Sequence, residues 1–535
     1  MFAVSHFSVL DLAIIGAYFL GLIVLGLISH HRTRSARDHF LAGRSASWPK
    51  IGFALYASTI SVTSLVGLTG SAYAHGISVY NYEWMAAVVL TLFCAFVLPT
   101  YIKSQVFTVP EFLELRYGKF VRTYVSGLSI LLGIFVDAAG GLFAGAVLFQ
   151  ILFPGWALWQ VCALLSILAG GFLITGGLRA VLMVESVQGI ILIIACTSVA
   201  FFTFRTLGQG HVLAGWQETL ARTDPSHLKL VNPASDKAMP WTGLLTGVPL
   251  IGFYFWCTNQ TMVQRVLAAK SLDHGRWGSL MGGAMKLTNL FLVILPGAAA
   301  LLLFPHLDKP DQVFSHLVFD MLPHGLIGLI IAACIISVLS GMASVYNATS
   351  TLLTMDFIRR IKPDLSEMGL VRAGQITTVI IMAISIAWAP QIIYFEDTLW
   401  QYLQAILCYF VPPIAAVFIA GLFIRRVNKT GAGTGLVLGT ASSFVLFFAV
   451  EVFHVLPLHF LVAAVVIFAI SFAGLLIGSL VAPAQDVAVI RPLMFEKSVW
   501  QAETAHLKTI KWYQNYRYLS IALLIVTGLI VAWFA

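Results

Sequence analysis

Charge is what this 535-residue chain has least of: Asp, Glu, Lys and Arg make up 10% of it, against 59% hydrophobic residues. A soluble domain carries about 25% charged residues, so this composition, with a mean hydropathy of +0.91, excludes one. Cysteine is also scarce. The six present (Cys94, Cys162, Cys196, Cys257, Cys334 and Cys408) stand singly in apolar runs, without a CxxC or a histidine at metal spacing. That leaves no disulfide framework or zinc site, and they read as small packing residues. No GxxxxGK(S/T) phosphate loop occurs, so ATP-driven transport has no engine here. Positive charge is missing ahead of the first apolar run, Leu10 to Ile28, and follows it in "SHHRTRSARDHFLAGR". A secretory signal has the opposite order, so this run is an uncleaved span. No stretch is long enough for an attached soluble domain; the largest connections are 205–240 and 483–515.

What the chain does have is apolar runs of roughly 20 residues, each enough to cross a hydrocarbon core of ~30 Å. Fourteen spans are expected, at 8–30, 48–75, 80–102, 123–150, 156–176, 180–204, 241–264, 278–304, 326–356, 374–396, 399–424, 434–454, 457–482 and 516–535. Their connections alternate between two sides, and one side holds 25 of the 31 Lys and Arg residues. The other has Arg205, Arg222, Lys229, Lys237 and Lys309, and Lys286 lies within a span. The positive-inside rule makes the rich side cytoplasmic and puts both termini outside. The net charge of +8 is thereby a topology signal and implies no nucleic-acid partner.

Two spans are interrupted. The second, "IGFALYASTISVTSLVGLTGSAY", is rich in Ser, Thr and Gly; the seventh, "WTGLLTGVPLIGFYFWCTNQ", carries Gly247, Pro249 and Gly252 near its middle. Freed carbonyls in a bilayer are tolerable only against protein or a cavity. Spans 2 and 7 each begin a group of five, 48–204 and 241–424, and two groups of five have opposite topology. Broken helices at matching positions of inverted halves point to a transporter's midplane site. Glu83, Asp137, Glu185 and Lys286 lie within spans and would each cost roughly 2.5–3.5 kcal/mol facing lipid, so they should face one another or water. Finally, "SVLSGMASVYNATSTLLTMD" places Ser337, Ser340, Ser344, Asn347, Thr351 and Thr354 in one helical stripe.

These residues bring out a resemblance to the sodium/solute symporters, in particular the sodium/sugar cotransporters. It is carried in order by "DHFLAGRS", "GSAY…YEWM", "FTVPEFLELRYGK", "GGLRAVLMVESVQ", "NQTMVQRVLAAKS", "MKLTNLFLVILPG" and "YNATSTLLTMD", over residues 8–440. The resemblance implies a single transmembrane transporter domain over 1–535 with a LeuT-like core of two inverted five-helix repeats. An extra N-terminal helix would lie at 8–30 and three more helices at 434–535. It implies a sodium site of Ala57 and Ile60 carbonyls with Ser337 and Ser340, where a further family hydroxyl falls on Gly341, which has none. Ser344, Asn347, Thr351 and Thr354 are expected to serve close packing. Glu83, Lys286 and Gln404 match the family's sugar contacts and Tyr82 a neighbouring tyrosine. Thr59 and Ser64 stand where sugar transporters have amides, Gly252 replaces another amide, and Phe255 replaces a gating tyrosine. Asp137 stands where relatives have an amide or a cation, and Glu185 matches an acid tied to a second ion; both are candidates for a second ion or a proton. Trp400 could stack on a sugar face, and His75 is expected at the interface.

The expected function is therefore sodium-coupled import of a monosaccharide or similar polyol by alternating access, without enzymatic chemistry, cofactor other than the transported Na+, or obligate protein partner. Rivals are a sodium-independent uniporter, a proton-coupled carrier, another family substrate such as sialic acid, inositol, a carboxylate or an amino acid, and a sugar-gated sensor or channel. Short loops suggest a bacterial cytoplasmic membrane.

Overall fold

In a bilayer an apolar run satisfies its backbone by coiling, and the chain is helical almost throughout. The computed structural model describes residues 7–30, 46–104, 106, 109–150, 155–175, 178–394 and 397–535, and among them only two isolated bridges are extended. The helices that matter for the site are α1 (Val9–His30), α2 (Trp48–Thr59), α3 (Val62–His75), α4 (Tyr80–Leu92), α5 (Lys119–Leu132), α6 (Ala139–Gln150), α7 (Leu158–Thr175), α8 (Leu178–Leu207), α9 (Gly247–Phe253), α10 (Leu272–Leu287), α11 (Leu295–Leu303) and α12 (Leu326–Leu352). They are followed by α13 (Glu367–Trp388), α14 (Leu399–Phe410), α15 (Pro412–Phe423), α16 (Lys429–Phe447), α17 (Phe460–Val481), α18 (Lys497–Leu507) and α19 (Tyr516–Trp533).

Among the described residues nine helices are long and apolar enough to cross a membrane, or ten if α14 and α15, bent by 52° at Val411–Pro412, form one span. The chain is an integral membrane protein. Fourteen spans were expected, and the count differs where spans break or join. The second span is split at Ile60–Ser61, and its C-terminal part runs through a 3₁₀ turn at Gly76–Val79 into the third, so that Val62–Ser104 is one helical stretch. The seventh is cut at Thr246 and widens into a π-type turn at Tyr254–Thr258, which follows from Gly247, Pro249 and Gly252.

α2 packs on α8 and α10, and α3 on α6, α11 and α14; α12 lies against α1, α7 and α8. α16 and α17 approach along a seam of small residues, where a Cβ on Gly431 would sit 1.9 Å from Ser479 Oγ. A further buried charge lies at the start of the chain's first helix. Asp11, at the start of α1, is fully buried and accepts from the Gly325 and Gly328 amides at 2.6 and 2.9 Å, with His324 Nδ1 at 2.8 Å. It ties the N-terminal helix to the amide end of α12, which has no side-chain cap of its own.

Candidate functional site

The break in the second span follows from two serines. Ser61 N–H donates to Ser64 Oγ at 2.9 Å, where a continuing helix would send it to the Ala57 carbonyl. Ser64 N–H turns back to Ser61 Oγ at 3.4 Å, where it would otherwise reach the Ile60 carbonyl. This reciprocal capping opens the helix, and Ala57 and Ile60 are among the carbonyls, 57 to 60, that lose their helical donors at the break. Ala57 and Ile60 are the two backbone ligands expected for sodium. The Ser64 hydroxyl itself donates to Thr59 O at 2.7 Å and Ser61 O at 2.9 Å, and Thr59 Oγ donates to Tyr56 O at 2.8 Å. Both side chains therefore maintain the break.

α12 touches α3 beside this break. A Cβ on Gly141 would meet Met342 Cε at 2.2 Å and Thr63 Oγ1 at 3.7 Å, so the turn after Ser340 and the turn after Ser61 converge on that glycine. Ser337 and Ser340 are buried, and neither hydroxyl makes a hydrogen bond among the described residues. Helical serines ordinarily bond back to their own helix, so both are available oxygen ligands. At Gly341 a Cβ would meet nothing within 4 Å. The stripe changes character further along: Thr354 reaches Thr377 of α13 at 3.4 Å, whereas Ser344 is half-buried and Asn347 and Thr351 are exposed. Close packing was expected for all four, and Asn347 and Thr351 are exposed instead.

The charged pair is built as expected and has a third member. Lys286 Nζ donates to Glu83 Oε2 at 2.7 Å, and Asn289 Nδ2 donates to the same oxygen at 2.5 Å. Asn289 Oδ1 in turn accepts from Tyr56 OH at 2.9 Å, which links the site to the turn before the helix break. Glu83 and Lys286 are both buried, at 3% and 4% exposure, and Glu83 Oε1 has no protein partner among the described residues. Asn289 is the residue that sequence reading missed, although its place three residues after Lys286 on one helical face signalled it.

An aromatic pair begins at the residue before Glu83. Tyr82 and Trp400 meet edge to face, ring centroids 6.1 Å apart, and Trp400 rests on the α3 backbone where Gly67 leaves room. Trp400 Nε1 is a buried donor without an acceptor among the described residues. Gln404, one turn on, is buried at 7% exposure. Phe255 is half-buried in the π-type turn Tyr254–Thr258. Gly252 of α9 packs on Met85 and Val89 of α4. Asp137, also in a π-type turn (Gly133–Ala138), is exposed although it lies mid-span. Glu185 is on α8, but its side chain lies outside the described residues.

A cavity of about 710 Å³ is lined by His75, Trp159, Lys309, Asp311 and Asp397 among others, at the ends of α3 and α14. His75, expected at the interface, faces this vestibule. Asp311 Oδ2 accepts from Leu399 N–H at 2.9 Å, and its Oδ1 sits buried against the Cβ-less face of Gly70. Burial pushes this carboxyl, which lies outside the spans, up to about 7 from its usual 3.8.

With this geometry in place, comparison with known proteins decides the family. Residues 39–439 match the model of the sodium:solute symporter family. The chain belongs to the sodium:solute symporter family. The symporter is 33% identical to zebrafish (Danio rerio) sodium/glucose cotransporter 4, covering 80% of this chain and 70% of that one. It is 32% identical to rabbit (Oryctolagus cuniculus) sodium/glucose cotransporter 1 over 90% and 80% of the two chains. It is 30% identical to the bovine (Bos taurus) sodium/mannose cotransporter SLC5A10, over 91% and 89%. A substrate-bound, outward-open Na+-coupled sialic acid symporter shares the symporter's fold, with a TM-score of 0.74 at 18% identity over 89% and 99% of the chains. Mhp1, a nucleobase-cation-symport-1 transporter, is more distant, at a TM-score of 0.54 for its inward-facing form and 11% identity.

Proposed function

We propose that this symporter imports a monosaccharide or a similar polyol together with sodium. The observation that carries the reading is the Glu83–Lys286–Asn289 cluster. It is a buried, mutually neutralised group that still offers one free carboxylate oxygen and ammonium protons to a hydroxyl-rich solute. Gln404 would add an amide, and Trp400 and Tyr82 an apolar face with a donor at its edge. Phe255 would close over the solute, while Thr59 and Ser64 act indirectly by holding the break. Ala57 and Ile60 carbonyls with Ser337 and Ser340 hydroxyls form the sodium site, a set of hard oxygens suited to a hard cation.

The finer architecture belongs to the same proposal: fourteen spans, inverted repeats at 48–204 and 241–424, both termini outside and residence in a bacterial cytoplasmic membrane. Exposed Asn347 and Thr351 would line the water-filled way to the cytoplasm, since lipid would penalise them. One sodium moving down a tenfold gradient and 100 mV releases roughly 3.7 kcal/mol, enough for several-hundred-fold accumulation.

A second reading is favoured by two specific features. Gly341 supplies no hydroxyl, and Asp137 puts an exposed carboxylate into the middle of a span. A proton carried by Asp137, or no coupling at all, would then replace sodium. The deciding experiment is uptake of labelled glucose, galactose and mannose into proteoliposomes. It is run under an inward sodium gradient, with potassium in place of sodium, and under a proton gradient. Accumulation above equilibrium with sodium alone supports the symport reading. Equal rates in every condition would make the protein a uniporter, and accumulation with protons alone would move coupling to Asp137.

A further inference from the structure

The amide ends of α5 and α16 meet at one edge of the molecule, around a cavity of about 610 Å³ lined by Tyr117, Lys119, Phe120, Lys429, Gly433 and Val437 among others. None of its lining residues is acidic. Lys119 and Lys429 are exposed, each is the first residue of its helix, and neither has a carboxylate within salt-bridge distance among the described residues. A cation in the first turn opposes the helix dipole. Two such lysines facing one cavity, backed by two sets of amide-end dipoles, make a positive concavity without a protein counter-ion. By contrast Arg122, one turn into α5, is paired with Glu114 and Asp356.

Apart from Tyr117, Thr430 and Thr434, the rest of the lining is apolar. Phe120, Val437 and Leu438 are 56%, 55% and 44% exposed on helices that cross the membrane, so they continue the lipid-facing surface. Gly433 keeps the floor open: a Cβ there would only touch the Phe120 ring, at 3.6 Å, while a longer side chain would enter the groove. Cationic at the rim and apolar below is the pattern that fits one occupant. We propose that this groove holds an anionic phospholipid, its phosphate between Lys119 and Lys429 and an acyl chain along Phe120 and Val437. By the positive-inside reading the lipid belongs to the cytoplasmic leaflet. None of the proposed solute or sodium residues lines the groove, and its failure would leave the transport reading untouched.

The test is lipid binding to the purified full-length protein in detergent, with phosphatidylglycerol, phosphatidylcholine and inorganic phosphate as probes, read by native mass spectrometry and by thermal stabilisation. Wild-type protein is expected to retain phosphatidylglycerol over phosphatidylcholine. Lys119→Gln/Lys429→Gln should weaken that retention about 30-fold, a factor of about 5 per lysine, and Lys119→Arg/Lys429→Arg should keep it. Gly433→Leu should block the lipid with both lysines intact; if that variant does not fold, the lysine pair carries the test. Folding of the glutamine variant is checked by uptake in phosphatidylcholine vesicles, which should equal wild type. Equal retention of both lipids, or undiminished phosphatidylglycerol in the glutamine variant, overturns the proposal. Displacement by inorganic phosphate at equal concentration would also overturn it, by making the site one for free anions.

Discussion

Gly341 faces open space where a side chain would begin, and this makes the proposed sodium site adjustable at a single residue. Gly341→Ser should cost nothing sterically, gain about 0.5 kcal/mol of helix propensity, and offer a further oxygen to the ion. Half-saturating sodium should fall about 3- to 10-fold with little change in maximal uptake, as measured by sodium titration of transport. An unchanged sodium dependence would mean that no ion is bound there. At the Glu83–Lys286 pair, removing one charge strands the other. Glu83→Gln should lower stability by about 3–5 kcal/mol. The double variant Glu83→Gln/Lys286→Met should recover much of that stability yet still show no uptake. Thermal unfolding and transport of the three proteins separate the two roles; recovery of both together would reduce the pair to a structural element.

At the scale of the element, the Ser61–Ser64 exchange is what keeps two half-helices apart. Ser64→Ala returns the Ser61 amide to the Ala57 carbonyl, so the break should anneal and sodium affinity should drop about 5-fold, given a cap worth about 1 kcal/mol. Ser64→Thr should retain wild-type affinity in the same sodium titration. The loop that carries Asp311 behaves as a second latch, onto the amide end of α14. Its carboxyl has a raised value in the folded protein, about 7 against 3.8, so the stability it contributes is complete below the lower value and lost as pH rises through the upper one. Lys309 on the same loop, and His75, Asp308 and Asp397, line the same cavity. The unfolding temperature in nanodiscs should fall by a few degrees between about pH 5 and about pH 8, and Asp311→Asn should flatten that slope. How much of this could be read from sequence depends on range. The breaks were legible because Gly, Pro and clustered serines act locally, and the Glu83–Lys286 pairing because two lone charges in apolar helices have few other partners. Asn289 was within reach, being three residues from Lys286. Asp311 was not: "DKPDQ" reads as a solvated loop, and only the fold brings Gly70 and Leu399 against it. The exposure of Asn347 and Thr351 was misjudged because periodicity reports a shared face and not what lies opposite.

For the whole molecule, the asymmetry of Lys and Arg predicts sidedness that is simple to check, because all six native cysteines are buried and give little background. In intact cells an impermeant maleimide should label Lys237→Cys and spare Lys511→Cys, both positions being exposed. Permeabilised cells should label both, and the reverse pattern would invert the topology. The connection 483–515 is held to the body by charge: Glu503 of α18 meets Arg276 of α10 at 2.5 Å and Arg517 of α19 at 3.0 Å. That segment looked like a plain loop in the sequence, since each of its partners is distant along the chain.

Lys286 and Asn289 both hold the same oxygen of Glu83, and this fixes the sense of the remaining one. Oε1 is an acceptor only, so whatever hydroxyl meets it must give a proton. Replacing that hydroxyl with fluorine would preserve its size and polarity while reversing its part in the bond. A panel of monofluorinated sugars would therefore find one position on the ring where transport fails and the others where it survives, and that position would tell which way round the solute lies.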